Sequence, residues 1–129
     1  MSENPYTEAI FQIHDYEGLP VILSREVWED KILSSDPSGH PEVGPYLDEM
    51  QKAITQPDVV FESTHRQDVK LLYHLAAGVG RYEGLHIVVV VKYTQETEGI
   101  RGYVSTVYLT RKLYSRGKIL WTKPGLSVI

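Results

Sequence analysis

"DVKLLYHLAAGVGRYEGLHIVVVVKY", residues 68–93, decides the fold. Its two ends, 68–76 and 85–93, are rich in β-branched and aromatic residues. The link between them carries Gly78, Gly80 and Gly84. Extended backbone alternates its side chains between two faces, and glycine supplies the turn geometry that lets a chain double back. In the first run the odd positions, Val69, Leu71, Tyr73 and Leu75, read as the core side, and Lys70 and His74 as the outward side. The second run is apolar at both parities, with His86 and Lys92 as its polar even positions.

The same period of two extends in both directions. Residues 59–64 ("VVFEST") and 102–113 ("GYVSTVYLTRKL") read as further strands, and 117–121 ("GKILW") as a short edge piece. Short glycine-bearing connections favour an antiparallel meander. Before residue 59 the pattern changes. Residues 9–16 and 19–24 are two short extended segments joined by Gly18, and "REVWEDKILS" (25–34) fits a helix of about ten residues with Ser24 as its cap. "SSDPSGHPEVG" has loop composition. A second helix is expected from Pro45, capped by Gly44 and stopped by Pro57, with Tyr46, Leu47, Met50, Ala53 and Ile54 as its apolar stripe. The expectation is a single α+β domain over 1–129: two N-terminal helices packed on one face of a four- to five-stranded antiparallel meander sheet. Its core runs from about 20 to 121, with loose N-terminal residues and a loose tail over 122–129.

Composition narrows the chemistry. With 129 residues, 42% hydrophobic and 23% charged, the chain has the proportions of one globular domain. It has no cysteine, which excludes disulfides, thiolate metal sites and thiol nucleophiles. The polar, acidic start "MSENPYTE" is unlike a secretory or transit peptide, and "LHIVVVV" is too short to span a bilayer. A cytoplasmic protein without membrane contact is expected. The net charge of −4 conceals a division: residues 1–64 carry 13 acids and 3 bases, and residues 65–129 carry 4 acids and 10 bases. Either the halves present different surfaces to different partners, or they pack together and neutralise.

If neighbouring strands pair so that residue numbers sum to about 160 and 196, then Lys70, His74, His86, Lys92, Thr106, Tyr108 and Thr110 share one face, opposite the helices. That set of cations, imidazoles, hydroxyls and a phenol suits an anion, unless it is only the wet face of a half-exposed sheet. RNA cleavage is one chemistry it serves. Attack of a 2′-hydroxyl on the adjacent phosphate needs proton transfer and donors for the developing charge, and lysine or arginine supplies that charge without a metal. "GVGRYEG" misses the dinucleotide-binding spacing and precedes a strand, and no G-x-S-x-G elbow occurs. The five histidines lack a metal-binding helix spacing, so neither a metal nor a cofactor is expected.

"HPEVGPYLDEMQKAITQPDVVFEST", followed by "DVKLLYHL", "LHIVVVVKY", "GYVSTVYLTRKL" and "GKILW", resembles small phage-associated members of the barnase–EndoU–colicin–RelE superfamily of metal-independent ribonucleases. The likeness covers roughly residues 20 to 121. It implies RNA cleavage, often by toxins of toxin–antitoxin or phage-conflict systems, with RNA as substrate and an inhibitor or antitoxin protein as partner. By the resemblance, His40 is a proton-transfer residue and Thr106 a phosphate or substrate contact. Charge and placement add Lys92 to the catalytic set. They add Arg66 and Arg111 to a substrate-binding set with Lys70, His74, His86 and Tyr108.

Other readings stand beside these. His40 is either a proton carrier or a loop residue hydrogen-bonded to nearby backbone. Trp28 and Trp121 read as packing before base stacking. Arg111 falls at core-side parity near a strand end, and Arg66 sits in a turn. The rival to an enzyme is a non-catalytic nucleic-acid- or protein-binding domain of the same fold. An acidic chain departs from the basic character common in such toxins, which makes a local positive surface necessary.

Overall fold

The computed structural model describes residues 9–114 and 116–126. Of the expected loose N-terminal residues and tail over 122–129, residues 1–8 and 127–129 lie outside them. Seven strands form one mixed sheet: β1 (Ala9–His14), β2 (Pro20–Ser24), β3 (Val59–Glu62), β4 (Val69–His74), β5 (His86–Glu96), β6 (Gly99–Thr110) and β7 (Ile119–Thr122). Their order across the sheet is β1-β2-β6-β5-β4-β3-β7. This corrects the expected four- to five-stranded antiparallel sheet under two N-terminal helices. Among the described residues there is one α-helix, α1 (Leu47–Thr55), and it lies in the middle of the chain.

Each departure has a local cause. The extended segments around Gly18 (φ +84°) fold into the β1–β2 hairpin, closed by the Asp15 N–H donating to Leu19 O at 2.8 Å. That hairpin then joins the sheet through a parallel pairing of Val21 with Gly102 and Ile22 with Tyr103. Gly102 makes the join possible. A Cβ there would stand 2.8 Å from Val91 Cγ1 and 3.0 Å from Val21 Cγ2, closer than packed carbons tolerate. The expected helix at 25–34 contracts to a π-helical segment, Val27–Ile32, which buries Trp28 and Ile32. Pro41, with its ring-fixed φ, opens a 3-10 segment (Pro41–Tyr46) that runs directly into α1, so the helical stretch starts before Pro45. No helix among the described residues is long and apolar enough to cross a membrane.

Both faces of the sheet are covered, by different means. The β2–β3 connection carries α1 across one face, where Met50, Ala53 and Ile54 pack on Val60, Leu72, Ile87, Val89 and Val107. The β6–β7 connection must travel from β6 past β5, β4 and β3, and it takes the other face. There Leu113 and Tyr114 close a second apolar cluster over Val59, Phe61, Leu71, Tyr73 and Val88.

The β4–β5 link contains an L-residue in the left-handed region, Ala76 at φ +52°. Its N–H donates to His86 Nδ1 at 2.9 Å, which keeps the turn in place. Ala76→Gly removes the Cβ strain and is expected to raise stability by roughly 0.5–1 kcal/mol, read as a higher urea midpoint at unchanged slope.

Candidate functional site

Register sorts the candidate residues onto two faces. Between β5 and β6, His86 pairs with Thr110, Val88 with Tyr108 and Val90 with Thr106, so these residues share the face away from α1. A bulge at Ser105 then shifts the pairing, setting Lys92 opposite Tyr103 and turning Val104 into the core beneath α1. Between β4 and β5, Val69 pairs with Lys92 and Tyr73 with Val88, a sum of 161. That one-residue difference from the expected register places Lys70 and His74 on the α1 face, apart from the rest. Leu71 and Tyr73 of β4 are buried as the alternation suggests, but in the second cluster.

The outer face is closed over β3, β4 and Val88 of β5, and partly open over the rest of β5 and over β6. Thr106, Tyr108, Thr110 and Lys92 are all partly exposed there. His40 joins them from the 34–40 loop, its ring 5.7 Å from that of Tyr108 and tilted by 41°. Its N–H donates to Ile32 O at 2.6 Å, which fixes the loop backbone, and its Nδ1 lies 3.6 Å from Glu42 Oε2. Gly39 is required beside it, because a Cβ would meet Ser34 O at 2.0 Å. Burial, with Tyr114 adding to it, pushes the Tyr108 phenol above its ordinary value. At neutral pH it is a proton-bearing donor.

Of the remaining candidates, His86 shares this face, whereas Lys70, Arg66 and His74 are paired with carboxylates. Lys70 Nζ contacts Glu17 Oε1 at 2.8 Å and lies 4.7 Å from the Tyr93 ring centre. Arg66 binds Asp68 through two nitrogens, at 2.9 and 2.8 Å, in the β3–β4 turn. Arg111 is exposed just beyond β6. Burial lowers the His86 pKa, with the Asp58 charge opposing, and the Ala76 N–H occupies Nδ1. His74 Nδ1 meets Asp58 Oδ2 at 3.3 Å. No cluster of three His, Cys, Asp or Glu side chains suited to a metal ion occurs among the described residues.

Asp58 had drawn no role from the sequence. Its carboxylate is nearly buried and accepts from Leu75 N–H (2.7 Å), Lys123 Nζ (2.7 Å) and His74. Burial alone would raise its pKa, but those hydrogen bonds outweigh burial and hold it below the ordinary 3.8. A depressed carboxylate stabilises the fold fully above its unfolded value and progressively less as pH falls through the folded one. Stability is therefore expected to drop below about pH 4, with a smaller acid dependence in Asp58→Asn, read by urea unfolding at pH 3 and pH 6. The only advance signal was one carboxylate before the apolar run "VVF", next to Pro57.

Comparison with protein-family models, with curated proteins and with solved structures returned no match.

Proposed function

We propose that the protein is a metal-independent endoribonuclease of the barnase–EndoU–colicin–RelE kind, working on the open half of the outer face. The observation that carries this reading is His40 set against Tyr108 on the same face as Thr106 and Lys92. Thr106 and Tyr108 are two positions apart on one strand, about 7 Å along the backbone, a spacing compatible with both hydroxyls contacting one phosphate group. His40 accepts the proton of a 2′-hydroxyl as its oxygen bonds to phosphorus. Tyr108 and Thr106 donate to the non-bridging oxygens, and the Lys92 ammonium offsets the added negative charge. The bond to the 5′-oxygen breaks, that oxygen takes a proton from solvent, and a 2′,3′-cyclic phosphate remains.

The later half of the chain is cationic although the net charge is −4. Ten of the chain's 13 lysines and arginines fall after residue 64. Toxin-like action and a protein inhibitor follow from the sequence resemblance and belong to the same proposal, as does a cytoplasmic setting. The test is incubation with single-stranded RNA in EDTA, with end analysis for cyclic phosphate. Cleavage that survives chelation supports the proposal. Salt-sensitive binding without cleavage replaces it with the non-catalytic nucleic-acid-binding domain.

A further inference from the structure

A second polar assembly stands on the α1 face, away from His40. The end of α1, the turn before β3, His74 on β4 and the end of β7 enclose a cavity of about 400 Å³. That size falls within the range of small-molecule sites. Its aromatic wall is Trp121, 40% exposed, whereas Trp28 is 7% exposed in the core. The Tyr16 ring sits 5.6 Å from Trp121 at a 37° tilt and supports the indole from the side. An indole held open to solvent at a cavity is a stacking surface for a flat ring.

The polar lining has a definite charge. Lys52 and Lys123 contribute two positive charges against the single carboxylate of Asp58. Lys52 also offsets the negative end of the α1 dipole. Asp58 is spent on Leu75 N–H, Lys123 and His74, so it orients the wall and has little capacity left for a ligand. With Nδ1 held by Asp58, His74 presents Nε2 as its other hydrogen-bonding nitrogen. The Gln56 side chain adds an amide able to read polar ring edges. A flat apolar surface, two cations and a fixed imidazole around one small cavity match a planar heterocycle bearing phosphate.

We propose that this cavity binds a nucleoside monophosphate unit, its base on Trp121 and its phosphate between Lys52 and Lys123. Trp28→Phe leaves Trp121 as the one tryptophan of the chain and makes its fluorescence the reporter. AMP is expected to quench it saturably below about 1 mM. Adenosine binds at least fivefold more weakly, and Lys52→Glu or His74→Ala weakens AMP by roughly tenfold. Equilibrium dialysis of AMP against the full-length protein gives the same constants without the tryptophan signal. It also measures Trp121→Ala, where stacking loss costs roughly tenfold. A 5′-phosphorylated RNA oligonucleotide that competes more strongly than AMP identifies an RNA end as the source, and stronger AMP binding identifies the free nucleotide. Absence of saturable binding by AMP, GMP and CMP overturns the proposal, as does equal affinity for adenosine or unchanged affinity in Lys52→Glu. Because the cavity is on the other face, these measurements keep their meaning in a protein that cleaves no RNA.

Discussion

His40→Ala is expected to lower the proposed RNA cleavage by at least about a hundredfold, the low end of what a positioned acid–base group contributes, with the unfolding midpoint nearly unchanged. The two halves of that expectation have separate causes. The loop is held by backbone contacts, His40 N–H to Ile32 O and Gly39 N–H to Asp36 O, and alanine keeps both. The imidazole is partly exposed and touches the Tyr108 ring, so its removal costs proton transfer more than packing. Thr106→Ala and Lys92→Ala remove a donor and a charge from the proposed phosphate site, and each is expected to reduce the rate roughly tenfold or more. The check is initial rates of cyclic-phosphate formation in EDTA at saturating and limiting RNA. A His40→Ala protein that cleaves at the wild-type rate rejects this face as the site.

Asp15→Ala is expected to cost about 3 kcal/mol of stability, because three donors converge on one nearly buried carboxylate. Oδ1 accepts from Glu17 N–H at 2.8 Å and Leu19 N–H at 2.9 Å, and the Tyr93 hydroxyl donates to Oδ2 at 2.6 Å. Burial, and after it the bond to Asp15, push the Tyr93 phenol far above its ordinary value, so it remains a donor at any working pH. The contact ties the β1–β2 turn to β5, two strands away in the sheet. Alanine strands all three donors. Tyr93→Phe removes one partner and is expected to cost about 1 kcal/mol, and Asp15→Asn keeps an acceptor for the turn. Urea midpoints of the three variants, in that order of damage, are the measurement.

Strand positions were legible because β-branched and aromatic enrichment, with alternation added over 69–74, is a local property visible in any window around residues 59–62, 69–74 or 86–93. Membership of the sheet was not. The β1–β2 hairpin joins through two residue pairs to a strand far along the chain, and nothing near Val21 announces Gly102. The facing of β4 was ambiguous for a related reason. Leu71 and Tyr73 look like residues packed under a helix, yet Leu113 and Tyr114 bury them from the opposite side. A second core made by a loop leaves the same apolar signature as a first core made by helices. For the candidate site, the shared face of Thr106 and Tyr108 could be read from spacing alone. The Ser105 bulge could not, and it decides where Lys92 stands relative to them. The Asp58–His74 pair depends on the β3–β4 register, so composition gave no hint of it.

The two-pair seam between β2 and β6 also sets a timetable. Val21 leaves the ribosome 81 residues ahead of its partner Gly102. At typical elongation rates that is an interval on the order of 4–16 s. During it the nascent hairpin holds Ile22 and Leu23 with no strand to dock against. The newborn chain thus carries an apolar hairpin edge that waits for β6 to shelter it.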